Sequence, residues 1–320
     1  MTIHFHIEYR TVFGEQLVLN IQKEDEEELK LPMATLDGKE WSVDWCVEQP
    51  AKSYTYYYSV ERDGVVVKTE WLLVKHRLDL TAGKADELTQ YDHWKVIPED
   101  AYLYSSAFTD CVNHQAPEEM EMQNYAKTVR LIVRAPQLRD GEKLGVVGAD
   151  NLLGSWNAEK MLKMTQHTYN EWVAELDAVH LQSNHMEFKF VAYNEKKDQQ
   201  FWETGMNRTI DLPEMKAGDA IVYELDQAFF ALYNRKLAGT LVPVFSLRSE
   251  KSAGVGDFGD LKTMIDLVAS TGQKVLQLLP INDTTITHTW TDSYPYSCIS
   301  VFAIHPMFVD LNALPALKDA

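Results

Sequence analysis

Cysteine is scarce in this 320-residue chain: Cys46, Cys111 and Cys298 stand far apart and are odd in number. Such a set builds no disulfide framework and points to a reducing compartment, so a cytoplasmic location is expected. No CxxC pair and no Cys/His cluster occurs along the chain, so no structural zinc site is visible. Long apolar runs are also missing. None approaches the ~18 residues needed to cross a membrane, so no membrane partner is expected. The opening MTIHFHIEYRTVFGEQ alternates and carries charge early, as a strand does and a signal peptide does not. Positive charge is in deficit, with 30 basic against 48 acidic residues and a formal net charge of −18. That field repels a polyanion, so no nucleic-acid partner is expected, and a neutral ligand is unaffected.

What the chain does have is enough apolar residues, 45%, for packed cores in the two or three domains its length suggests. From Thr2 to about Phe108 the pattern is one of short strands. His4, His6 and Glu8 alternate with Phe5, Ile7 and Tyr9. Trp41, Val43, Trp45 and Val47 share one face of a later strand, and Tyr54 to Val60 alternates again. Regular short strands separated by turns predict a β-sandwich. Cys111 to Asn124 is acidic, polar and aperiodic, and reads as a linker. From Lys127 to about Leu225 the strand pattern restarts. Val129, Leu131 and Val133 face one way, with Arg130 and Arg134 opposite. Each half has an opening strand, a Gly-Glu turn (Gly14-Glu15, Gly141-Glu142), a Trp strand (Trp45, Trp172) and then an aromatic-rich strand. The two halves therefore read as tandem sandwiches of one type.

After Gly239 the texture changes. Leu241 to Leu247 is nearly continuously apolar, and Asp260 to Thr271 has helical spacing. Leu261, Met264, Ile265 and Val268 form one stripe of that helix, and Gly272 stops it. Lys274 to Ile281 is apolar again. Strand, helix and buried strand make a βαβ unit. From Gly239 to Ala320 there are 82 residues, whereas a closed (β/α)8 barrel needs roughly 250. One βαβ unit cannot cover both faces of its own sheet, so this segment is expected to be the start of an incomplete fold.

Sugars are held by flat aromatics on their C–H faces and by polar groups at the rim. A tryptophan in a sandwich is usually core, and the clean alternation around Trp45 and Trp172 assigns them there. Trp156, in the turn LLGSWN, and Trp202, in the polar run QQFWETGMNR, have surface contexts instead. Lys189 points away from the Phe188/Phe190 face and is expected to be exposed.

The opening VRLIVRAP, then GEKLGVVGADNLLGSWN, EWVAEL, MEFKFVAY and FWETGMNR, make residues 128–211 resemble a family 20 carbohydrate-binding module, the starch-binding domain. That resemblance implies a main glucan site formed by Trp156, Lys189, Trp202, Glu203 and Asn207. The family's second site uses a tyrosine just before the Gly-Glu turn. Here Leu138, Arg139 and Asp140 stand in that place, and Tyr169 is the remnant candidate. The first half resembles the same family more weakly, as a degenerate module without the LGxW turn or the lysine. It keeps Phe13 before Gly14-Glu15 as a possible secondary sugar platform.

GVGDFGDL, LQLLPIN and PYSCISVFAIHPMFVDL resemble the start of a glycoside hydrolase family 77 barrel. Pro295, Tyr296, Ser300, Phe302, Ala303 and Pro306 match its pattern, and His305 stands where asparagine is usual. The resemblance implies that Tyr296 contacts substrate at the donor subsite. The expected fold is thus mainly β: two immunoglobulin-like sandwiches, residues 1–110 and 127–226, joined by a linker at 111–126, then the first part of a truncated (β/α)8 barrel at 227–320. The implied function is the front section of a 4-α-glucanotransferase acting on α-1,4-glucans such as starch, glycogen and maltodextrins. Alternatives are a non-catalytic glucan-binding adaptor ending at Ala320 and an α-glucan hydrolase. A retaining mechanism needs paired carboxylates about 5–5.5 Å apart. In the family these lie downstream, and Asp257, Asp260, Asp283 and Asp292 match no catalytic motif. No catalytic residue, metal or cofactor is expected within the chain, which should be inactive alone.

Overall fold

A computed structural model describes residues 1–22, 28–47, 53–80, 87–106, 108–109, 125–139, 141–168, 170–231 and 237–315. Residues 111–124 of the expected linker, and Tyr169, lie outside this set. The chain divides into two compact units, Met1–Tyr233 and Asn234–Ala320. The architecture is mainly β.

The first half of the larger unit contains β1 (Thr2–Glu8), β2 (Glu15–Gln22), β3 (Leu29–Pro32), β4 (Ala34–Thr35), β5 (Glu40–Cys46), β6 (Ser53–Arg62), β7 (Val65–Thr69), β8 (His76–Asp79) and β9 (Glu87–His93). The second half contains β10 (Thr128–Arg134), β11 (Lys143–Gly148), β12 (Leu162–Lys163), β13 (Thr165–Thr168), β14 (Glu171–Asp177), β15 (His185–Asn194), β16 (Gln199–Trp202), β17 (Arg208–Asp211) and β18 (Ala220–Glu224). The alternating residues become two cores. Ile3, Phe5, Trp41, Trp45, Tyr54, Tyr56, Tyr58 and Val60 fill the first. Val129, Leu131, Val133, Trp172, Phe188 and Phe190 fill the second. In each case two sheets face each other across their inward side chains. Trp45 and Trp172 are buried, as their alternation predicts.

The halves are fused rather than strung together. Among the described residues one sheet runs β13-β14-β10-β18-β9-β1-β5-β4, and its centre is a parallel pairing of β9 with β18 in which Tyr91 sits opposite Tyr223. Because strand side chains alternate, the two faces of this shared sheet serve different cores. Tyr223 and Ile221 point into the second core, whereas Val222 joins the first, and Ile132 and Ala220 pack against it.

A charge cluster lies across this seam. His76 Nδ1 contacts Glu224 at 2.7 Å, its Nε2 contacts Glu70 at 3.1 Å, and Lys95 Nζ lies 2.6 Å from Glu224. Tyr56 and Tyr58 donate their hydroxyls to Asp92 at 2.8 and 2.6 Å. Arg134 pairs with Glu171 at 2.5 Å, and Arg130 with Glu175 at 2.7 Å. Burial alone would lower the His76 pKa, but Glu224, with Glu70 and Asp92, outweighs it and pushes it up to about 9. Burial opposes ionisation of Glu224 as well, yet His76 and Lys95 hold its carboxyl well below the usual range. Glu224 of the second half is thus paired with His76 and Lys95 of the first.

In the smaller unit, β19 (Gly239–Val242) pairs in parallel with β20 (Val275–Leu278). Between them runs α1 (Phe258–Ser270), which starts two residues before the expected boundary. The reason is a capping box, in which the Asp257 carboxylate accepts the Gly259 and Asp260 N–H groups and Asp260 reciprocates. Gly272 follows at φ +76°, as a helix stop requires. The expectation of buried strands is corrected: Leu241 is 56% and Val275 38% exposed. A two-stranded sheet and one helix cannot cover both strand faces. Of the predicted stripe, Val268 is buried while Ile265 is exposed.

Candidate functional site

The site residues of the second sandwich gather on β15 and the turns at its flanks. Register fixes the faces. Val147 sits opposite Lys189, and Trp202 opposite Val191, so Lys189 and Trp202 share the outer face of this sheet with Glu187. Phe188 and Phe190 alternate inward and are fully buried.

Trp156 reaches this region through an unusual backbone. Gly154, Ser155 and Trp156 all have left-handed φ, at +81°, +50° and +61°. A left-handed tryptophan is a steric outlier held by its surroundings. The holding groups are visible. Trp156 N–H donates to Gly148 O at 2.8 Å, at the end of β11, and Ser155 N–H to Asp150 O at 3.1 Å. Asp150 also accepts the Leu152 and Gln182 N–H groups at 2.9 and 2.8 Å. Gly148 must lack a side chain, because a Cβ would lie 2.4 Å from Glu187 O and 2.7 Å from Leu153. The result is a large ring turned outward: Trp156 is 36% and Trp202 42% exposed.

The turn after Trp202 is pinned at several points. Lys189 donates its ammonium to Glu203 O at 3.1 Å and to Gly205 O. Asn207 Nδ2 donates to Glu187 Oε1 at 2.7 Å. Glu203 is buried, unlike the two tryptophans. It is 5% exposed, Arg208 Nε grips both of its carboxylate oxygens at 3.0 and 3.1 Å, and one of them also accepts the Phe190 N–H. Its carboxylate thus ties the turn to Arg208 and to the Phe190 backbone. Arg208 also donates to Gln227 O at 3.0 Å and lies over the Phe190 ring. Glu187 and Arg208 were not singled out from sequence. Their signals were present: Glu187 shares the strand period of Lys189, and Arg208 follows Asn207.

The other candidates are placed as follows. Phe13 is fully exposed in a turn where Val12 N–H donates to the Glu15 carboxylate at 3.0 Å and Glu15 N–H returns to Val12 O. The second Gly-Glu turn repeats this bonding between Arg139 and Glu142. Tyr296, in the smaller unit, is 59% exposed with its ring 5.4 Å from that of Tyr294. Asp257, Asp260, Asp283 and Asp292 each accept a local backbone N–H. Asp292, for instance, accepts the N–H groups of Ile286, Thr287 and His288. Asp260 accepts the Ser249 and Ser252 hydroxyls.

Two family models match separate segments of the chain. Residues 127–222 match the family model of the starch binding domain, and residues 242–320 that of the 4-alpha-glucanotransferase family. The 4-alpha-glucanotransferase DPE2 of Oryza sativa subsp. japonica is 30% identical over 81% of this chain, which spans 28% of the rice protein. The 4-alpha-glucanotransferase of Chlamydia trachomatis is 46% identical over 25% of the chain, which spans 14% of that protein. The solved family 20 module of the maltotetraose-forming amylase from Pseudomonas saccharophila STB07 aligns with 29% of this chain and 98% of its own, at 18% identity and TM-score 0.24. By its family matches and its plant relative, the chain resembles the N-terminal part of a plant-type disproportionating enzyme, with a starch-binding segment ahead of the opening segment of a family 77 glucanotransferase.

Proposed function

We propose that this chain is the α-glucan-binding front section of a 4-α-glucanotransferase. The observation that carries the reading is the strained, outward-turned Trp156 beside the outer face that bears Trp202 and Lys189. Two exposed indoles offer flat apolar surfaces to the C–H faces of neighbouring glucose rings. The Lys189 ammonium and the Asn207 amide stand at their margin to meet hydroxyls. Glu203 acts through Arg208 and the turn, as a positioning residue.

Under the same reading, residues 1–110 form a degenerate module and residues 127–226 the working one. Residues 227–320 open a (β/α)8 barrel whose remaining strands cover the exposed faces of β19 and β20. Tyr296 then lines a donor subsite, and the paired carboxylates of a retaining mechanism are supplied by later strands. Such an enzyme forms a covalent glycosyl intermediate, and a sugar 4-hydroxyl intercepts it in place of water. The low cysteine content supports a cytoplasmic setting. Two experiments test the reading. Calorimetry of the chain with β-cyclodextrin tests binding, and product analysis of the longer protein on maltose tests transfer. A ladder of longer maltodextrins supports transfer, whereas glucose alone opposes it.

A further inference from the structure

The open face of the first half's sheet carries a cluster that the glucan reading does not use. His4 and His6 are two residues apart on β1, so both imidazoles stand on one face. Pairing with β5 places Asp44 opposite His4 and Ser42 opposite His6. Asp44 Oδ1 lies 2.7 Å from His4 Nδ1 and accepts its proton, which leaves Nε2 of that ring directed away from the contact. On its other side His6 stacks on Tyr91, with centroids 4.9 Å apart and planes at 21°, so its ring plane is also fixed. The register of β1 with β5 puts Glu40, Ser42 and Asp44 on the same face as His4 and His6. Both histidines are half-buried and solvent-accessible.

We propose that His4 and His6 form a two-imidazole site for a divalent transition-metal ion of the Zn2+ class, with Asp44 as the positioning residue that orients His4. The chemistry is that of neutral imidazole donors on a borderline-soft cation, with water filling the remaining positions. A carboxylate on the far nitrogen of a ligating histidine fixes its tautomer and raises its basicity, which is the place Asp44 occupies. The chain's net charge of −18 adds a long-range attraction for cations. A more compact set, His76, Asp92 and Glu224, brings its ligand atoms within 4.8 Å of one another. It makes a poorer site, because Lys95 already pairs with Glu224 and two tyrosine hydroxyls with Asp92. The His4/His6 pairing is invisible to a search for CxxC or clustered Cys/His, since it arises from strand period and cross-strand register.

The test is calorimetric titration of the 320-residue chain with ZnCl2, repeated for His4→Gln, His6→Gln, Asp44→Asn and His185→Gln, with a thermal melt on each. One saturable zinc per chain is expected. His4→Gln and His6→Gln should each weaken it at least tenfold, and Asp44→Asn roughly tenfold or more. His185→Gln should leave it unchanged, because that histidine pairs with Asp211 on a different strand. Cys46 lies on the same face, so Cys46→Ser is titrated as well and should bind normally. Cobalt substitution gives a second reading, a visible absorption band that disappears in His6→Gln. Absence of a saturable site, or wild-type affinity in either histidine variant, would overturn the proposal and leave His4–Asp44 an ion pair only.

Discussion

The ring of Tyr91 lies flat against that of Tyr223, with centroids 4.7 Å apart and planes at 7°. These residues sit opposite each other on β9 and β18, so the contact joins the two halves of the larger unit. On the reverse face of the same strands, Asp92 and Glu224 enter the buried charge cluster. The second sandwich is therefore supported from outside its own sequence range.

This support predicts that residues 125–231 alone melt at a lower temperature than residues 1–233. Separation uncovers Val222 and Ile132 and removes His76 and Lys95 from Glu224. In the whole chain, Glu224→Ala should cost about 3–5 kcal/mol, since it leaves buried cations without their anion. Chemical denaturation of wild type and variant measures the difference. Equal stability would show that the seam contributes little.

The His76 pKa, pushed up to about 9, gives the seam a pH dependence. A histidine whose folded pKa exceeds its unfolded value of about 6.5 stabilises fully below pH 6.5. That contribution is lost as pH rises through 9. Lys95, whose pKa burial lowers, titrates with the opposite sign, so the comparison must be with a variant. Melting temperatures from pH 6 to pH 9 should fall more steeply for wild type than for His76→Gln. Parallel curves would remove His76 from the account.

Glu203 separates two readings of the site. If it held the turn, Glu203→Ala would destabilise the fold by about 2 kcal/mol, because charged hydrogen bonds from Arg208 and the Phe190 N–H are lost. In a unit of this size that corresponds to a melting shift of roughly 4–8 °C. If it contacted sugar directly, affinity would fall with no change in melting.

Much of this arrangement was legible in the sequence because strand period alone decides it. Trp45, Trp172, Tyr56 and Phe190 alternate with polar neighbours and are core. Trp156 and Trp202 sit in turn-like runs and are exposed. What period cannot supply is long-range register. The β9–β18 pairing joins residues more than a hundred positions apart, and nothing local in either strand announces it. The same holds for Arg130 and Arg134. They face away from their own core, as their spacing says, yet Arg130 is buried and Arg134 largely so, on the face where Ile132 packs against the first core. The burial of Glu203 was not legible, because a charged residue beside an exposed tryptophan reads as surface, whereas its carboxylate lies against Arg208. The apolar runs at Leu241 and Val275 suggested burial, but the described residues do not provide enough chain to cover them.

The central claim is that Trp156 and Trp202 are glucan platforms and Trp172 is core. Calorimetry of the chain with β-cyclodextrin, paired with thermal melts, tests it on Trp156→Ala, Trp202→Ala and Trp172→Ala. Truncating a stacking aromatic at the centre of a small site costs ~2 kcal/mol or more, a roughly thirtyfold loss of affinity. The first two variants should lose that affinity and melt like wild type, whereas Trp172→Ala should lose about 3–5 kcal/mol of stability. Wild-type affinity in Trp156→Ala and Trp202→Ala, or unfolding in either, would contradict the assignment.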